Sequence, residues 1–64
     1  MAQVDQTFHG AFFAKLAREE LARGAVWMAE MTARLALKTD ESNREYAELV
    51  AVAAAARRAA TGER

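Results

Sequence analysis

The sequence predicts an all-α protein, and three properties of its composition lead to that prediction. Alanine, the strongest helix former, supplies 17 of the 64 residues. Proline, which breaks helices, is absent, and so is isoleucine, one of the main strand formers. Hydrophobic residues make up 53% of the chain, too many for an intrinsically disordered protein. We therefore expect one folded helical domain over residues 1–64, with frayed tails at 1–5 and 62–64.

The first element is predicted to be one long helix over residues 6–38. Apolar side chains recur there at spacings of three and four residues, as in a helix packed lengthwise on another. This stripe consists of Phe13, Ala17, Leu21, Gly24, Met28, Met31 and Leu35, with Leu16 and Trp27 on its shoulder. Gly24 is in phase with the stripe and no polar N-cap follows it, so we interpret it as an inward-facing small residue. The alternative is a helix break at Gly24, which would give three short helices.

Charged side chains are predicted to lie on the opposite, solvated face of this helix. Glu19–Arg23 and Glu30–Arg34 are i,i+4 pairs in the favourable order, each worth about 0.2–0.5 kcal/mol. Glu20 leans toward the apolar stripe, and we interpret it as a flanking residue paired with Arg23.

A turn is predicted over residues 39–42, within the one concentrated run of polar residues. Ser42 and Glu45 match a capping box, in which Ser42 is the N-cap of the next helix. A shorter helix is predicted over 43–61, ended by Gly62. Its apolar seam consists of Tyr46, Leu49, Ala53, Ala56 and Ala60, with Val50 alongside.

The two helices differ in length, and this difference predicts a dimer. Folded back antiparallel, the shorter helix covers the longer one only to about residue 19, so residues 4–18 overhang. Burying one large apolar side chain of the overhang is worth about 1.5–3 kcal/mol, so we expect these side chains to be covered. A chain this short with no cysteine also needs a stabilising partner. We therefore expect two antiparallel helical hairpins to pair into a homodimeric four-helix bundle.

Motifs for catalysis or ligand binding are not found, so we expect neither enzyme activity nor a cofactor. Nucleophilic catalysis needs an activated Ser, Cys or Thr beside a base, yet the chain has no cysteine and a single imidazole, His9. Asp5 and His9 are four residues apart, but this spacing is ordinary for a helix surface and predicts no metal site. Trp27 and Met28 are interpreted as core residues rather than contacts to a flat cofactor.

The charge balance argues against nucleic-acid and membrane partners. Nine basic and nine acidic side chains give a formal net charge of zero, so a broad phosphate-binding surface is not expected. The longest apolar run, residues 49–56, is much shorter than the about 18 residues of a membrane span. The first residues lack the pattern of a signal peptide, and we expect a cytoplasmic location.

Protein binding remains as the expected function, because aromatic side chains are favoured interface anchors. The expected interface residues are Val4, Phe8, Phe12, Phe13, Leu16, Glu20 and Trp27. Phe13 joins the apolar stripe, whereas Phe8 and Phe12 lie on a separate edge, so the cluster either closes the dimer only or also binds a target. We expect a homodimerising adaptor, inhibitor or regulator, with an Ala- and Arg-rich composition that is associated with GC-rich bacterial or phage genomes. The alternatives are a small dimeric DNA-binding transcriptional regulator and a structural accessory subunit of a larger assembly.

Overall fold

Three α-helices make up the part of the chain that the computed structural model describes, which is the backbone of residues 6–62 and the side chains of residues 9–62. Helix α1 spans Gln6–Arg23, α2 spans Val26–Thr39 and α3 spans Arg44–Thr61. The all-α prediction is confirmed. The prediction of a continuous helix over 6–38 is wrong, because two helices occupy that range.

Gly24 ends α1 and turns the chain back on itself. Its φ of +83° lies in the left-handed region, which glycine adopts without the steric penalty of a Cβ. The N–H of Gly24 donates to the carbonyl of Leu21, and the N–H of Ala25 donates to the carbonyl of Glu20, at 3.0 and 2.8 Å. These two bonds form a Schellman motif, which satisfies carbonyls at the end of the helix. Gly24 is therefore a helix terminator and not the small residue of a helix interior.

The second connection lies where the sequence predicts it. The N–H of Asp40 donates to the carbonyl of Leu37 and closes α2. The N-cap of α3 is Asn43, whose side-chain oxygen accepts from the N–H of Tyr46 at 3.1 Å. The predicted N-cap, Ser42, is one residue too early, because its hydroxyl donates to the side chain of Asp40 instead.

Helix α2 lies between the other two and runs antiparallel to both. At one end, Gly10 of α1 lies against Thr39 at the end of α2, and a Cβ on Gly10 would be 2.9 Å from the ring of Tyr46 in α3. At the other end, Arg57 near the end of α3 reaches Glu30 near the start of α2. The contact between α1 and α3 is smaller than the contact that either makes with α2.

The core is built mainly from alanine. Its buried hydrophobic residues are Ala14, Ala17, Ala29, Ala33, Ala36, Tyr46, Leu49 and Ala53. The predicted seam of α3 is confirmed at Tyr46, Leu49 and Ala53, whereas Ala60 is exposed. Burying one alanine methyl is worth about 0.8 kcal/mol, against about 1.5–3 kcal/mol for a large apolar side chain. Close helix contact is thus obtained with a small gain in apolar burial.

The break at Gly24 also removes the predicted overhang. Helix α1 folds back along α2, and two residues of the predicted overhang, Ala14 and Ala17, are buried within the same chain. The difference in helix length therefore no longer predicts a homodimer, although Phe12 within this range is exposed.

Candidate protein-interaction surface

Four large apolar side chains lie exposed along one side of α2. Trp27 is 58% exposed, Met28 55%, Met31 68% and Leu35 47%. Spacings of three and four residues bring them together into one strip on the helix surface. We call these four residues the outer face of α2.

The opposite side of α2 explains why these side chains point outward. Ala29, Ala33 and Ala36 are fully buried and face the other helices. The predicted inward position of Met28, Met31 and Leu35 is wrong, because α2 packs its small side chains inward and leaves its large ones outside. A spacing of four and three residues among these alanines was the sequence signal for this arrangement, once α2 is taken as a separate helix.

The indole ring of Trp27 is supported by a chain of contacts from α3. The guanidinium carbon of Arg57 lies 5.0 Å from the centre of the ring, within the range of a cation–π interaction. Nε of Arg57 donates to Oε1 of Glu30 at 2.5 Å. The sequence did not predict the contact between Arg57 and Glu30, because these residues are 27 positions apart.

Glu30 anchors these contacts and is nearly buried, although the sequence places it on a solvated face. Its i,i+4 pair with Arg34 is confirmed, since Nη2 of Arg34 donates to Oε2 at 2.6 Å. Hydrogen bonds from Arg34 and then Arg57 lower the pKa of Glu30 below its ordinary value of 4.5. Glu30 is therefore ionised at neutral pH and holds both guanidinium groups in place.

The predicted phenylalanine cluster is divided between two environments. Phe13 packs against the core, whereas Phe12 is exposed, and their rings meet edge to face with centroids 5.7 Å apart. This separation agrees with the helical wheel. Leu16 is half-buried. Val4 and the side chain of Phe8 lie outside the described residues.

Among the predicted interface residues whose side chains the structure describes, Glu20 is the one that is buried. It is 2% exposed, and its Oε1 accepts no hydrogen bond from the described residues, Arg23 included. The lean toward the apolar side is confirmed, but the predicted pairing with Arg23 is wrong. An interior position keeps Glu20 away from any surface partner.

Features of a metal site, an enclosed ligand pocket or a membrane span are weak or absent among the described residues. No group of three or more metal-ligating side chains converges between residues 9 and 62. A shallow open depression beside the outer face is lined by Arg34, Leu37, Lys38 and Glu41. None of the three helices, over their described residues, is long and apolar enough to cross a membrane.

The outer face of α2 thus holds four of the six exposed large hydrophobic residues among the described side chains, and the indole at one end is held by Arg57. Comparison of the chain with protein-family models, with curated proteins and with solved structures found no match.

Proposed function

We propose that this protein acts without catalysis, by homodimerising and by binding another protein as an adaptor, inhibitor or regulator. The observation that carries the proposal is the outer face of α2. Single exposed apolar residues are ordinary on protein surfaces, but a contiguous strip of large ones is typical of an interaction site.

The energetics favour coverage of this strip. Fully burying one such side chain is worth about 1.5–3 kcal/mol, so a side chain left half exposed forgoes roughly 1 kcal/mol. Burying one alanine of the core contributes less free energy than burying one of these larger side chains would. A second polypeptide on the outer face would supply the burial that the single chain lacks.

The basic side chains beside the outer face favour a heterologous partner that carries acidic residues. Arg34 and Lys38 lie exposed on the side of α2 that carries the strip. A helix or loop with apolar anchors and neighbouring acidic residues complements such a surface, and the acids would favour fast association.

Sedimentation equilibrium from about 1 to 100 µM, over the affinity range of small protein complexes, tests the homodimer. We expect the wild-type chain to dimerise, and the Met28→Ser, Met31→Ser double variant to remain helical by circular dichroism but monomeric. Val52→Ser is the matched control, because Val52 is 57% exposed on α3, away from the strip. It should behave as the wild type.

Affinity purification from the native host, repeated with all three proteins, tests the heterologous partner. We expect a partner captured by the wild type and by Val52→Ser, and lost with the double variant. A helical monomer at every concentration, together with capture that is equal for all three proteins, would overturn the proposal.

A further inference from the structure

The geometry of the outer face points to a specific homodimer: we infer that α2 packs antiparallel on α2 of a second copy, about a two-fold axis at Met31. The inference rests on the proposed homodimerisation and adds the surface, the orientation and the register. The second copy and the heterologous partner use the same strip, so they bind to it in competition. Met31 is the most exposed of the large hydrophobic residues among the described side chains.

The strip is self-complementary about Met31. In an antiparallel two-fold pair, residues equally far from the axis face each other. Trp27 and Leu35 are each four residues from Met31, so the indole of one copy meets the leucine of the other. Met31 meets itself at the centre. Every large apolar residue but one thereby faces another, and an isologous interface follows from one helix face.

The remaining member, Met28, faces Arg34 of the second copy, three residues on the other side of the axis. The guanidinium of Arg34 is already bound to Glu30 of its own chain, so its aliphatic stem is left to cover the methionine. Lys38 is seven residues from Met31 and faces Gly24 of the second copy, where the carbonyl end of α1 carries a partial negative charge. Neither Arg34 nor Lys38 therefore has a like charge at the position directly across the two-fold axis.

The exposed area matches what a small dimer needs. A fully buried aromatic side chain covers about 150–250 Å², and Met and Leu are taken here on the same scale. At 47–68% exposure the four residues of the outer face therefore present roughly 340–570 Å². A standard interface covers about 800 Å² per partner, of which about 450–500 Å² is apolar. The strip supplies the apolar centre of such an interface, and the polar side chains around it supply the rim.

The side chain of Trp27 is already held in place within the single chain, before a second copy binds. Arg57 lies over its ring, and Glu30 holds Arg57. A side chain that is already held loses less conformational freedom on binding. Tryptophan is also among the residues most enriched at interface hot spots.

Single-cysteine cross-linking tests the register, because the chain has no native cysteine. In a glutathione redox buffer, Met31→Cys should form a covalent dimer at least about tenfold faster than Val52→Cys, since a disulfide needs Cα atoms within about 7 Å. Trp27→Cys and Leu35→Cys should each fail to link with themselves but should link when the two proteins are mixed. This mixed pair retains Met31 and guards against loss of the dimer in the Met31→Cys variant.

The outcomes separate this inference from the broader proposal. A wild-type dimer by sedimentation, with Met31→Cys linking no faster than Val52→Cys and no link in the mixture, would overturn the α2–α2 pairing alone. A wild-type chain that stays monomeric would overturn both. Fast linking at position 31 and in the mixture, with slow linking at position 52, supports the pairing.

Discussion

The two faces of α2 carry apolar residues of different size, and the larger ones are outside. Ala29, Ala33 and Ala36 are fully buried between α1 and α3, whereas Met31 and Leu35 are about half exposed or more. Hydropathy alone would place the larger residues inside and the alanines outside. The difference shows that side-chain size, which sets how closely three helices can approach, outweighs the gain from burying the larger residues.

The helix axes must approach closely because α2 packs against two helices at once. Gly10 in α1 has the same property, since a Cβ there would collide with Thr39 and with the ring of Tyr46. Interiors are packed at crystal-like density, so a helix interface lined by alanine and glycine does not admit a large side chain without moving a backbone. The predictions below test this contrast, beginning with the largest expected effect.

Ala33→Leu should be the most damaging change. Ala33 is fully buried at the middle of the inner face, and three added carbons would force α2 away from its neighbours. We expect a loss of about 3 kcal/mol in the free energy of unfolding, the upper range for overpacked cores. Urea denaturation followed by circular dichroism measures it. Ala51→Leu, at an exposed position of α3, is the matched control and should stay within about 0.5 kcal/mol of wild type. Equal effects of the two substitutions would contradict the close-packed inner face.

The same contrast explains how much of the fold could be predicted from the sequence. In α3 the buried residues include the large Tyr46 and Leu49, so the apolar pattern indicates the correct face. In α2 the buried residues are small, so the same reasoning selects the wrong face. A hydropathy pattern locates a core only where the large residues are the buried ones.

The break at Gly24, which gives the three short helices of the stated alternative, was not preferred for a second physical reason. The N-cap of α2 is Ala25, which makes no side-chain capping bond, so no Ser, Thr, Asp or Asn marks the start of the helix in the sequence. The end of α1 is satisfied by backbone bonds alone, which leave no trace in the sequence beyond the glycine. The turn before α3 was located because Asn43 and its neighbours are polar.

The candidate site was predictable in part. Phe12 and Trp27 were expected at an interface and are exposed. Trp27 was, however, also assigned to the core, as were Met28, Met31 and Leu35, and that assignment is wrong for all four. Their true position follows from the break, because ending α1 at Gly24 releases α2 from the phase of the earlier stripe. The contact between Arg57 and Trp27 depends on the tertiary fold and could not be read from local spacing.

Glu20→Met should stabilise the protein. The carboxylate lies inside the fold, and its Oε1 has no hydrogen-bond partner among the described residues. An unsatisfied buried polar group costs about 1–3 kcal/mol, and methionine has a similar length without this cost. We expect the free energy of unfolding to rise by about 1–3 kcal/mol. Glu19→Met, one residue along and exposed, should leave it nearly unchanged. A loss of stability in Glu20→Met would mean that Glu20 has a structural partner.

Gly24→Ala tests what sets the two faces of α2 in register with α1. Nothing lies within 4 Å of the added Cβ, so the effect isolates the left-handed backbone conformation. We expect a loss of about 1–2 kcal/mol in the free energy of unfolding. D-alanine at position 24, introduced by chemical synthesis, tolerates positive φ and should restore stability. If L-alanine and D-alanine behave alike, the backbone at Gly24 does not have the observed conformation.

Acidification should separate the contribution of Glu30, which lies at the boundary between the two faces. Arg34 and Arg57 lower the pKa of Glu30 in the folded chain below 4.5, so the unfolded chain binds more protons in the acid range. The stabilisation is complete above about pH 4.5 and is lost as the pH falls through the lowered folded pKa. Thermal unfolding from pH 7 to pH 2.5 should therefore show the unfolding midpoints of wild type and Glu30→Gln converging in acid, since the variant has no proton to gain at this position.

The control is Glu48→Gln, at an exposed position of α3, which should keep the acid dependence of the wild type. A constant gap between wild type and Glu30→Gln at every pH would show that Glu30 acts through packing, and the support of Trp27 by Arg57 would then not depend on the charge of Glu30.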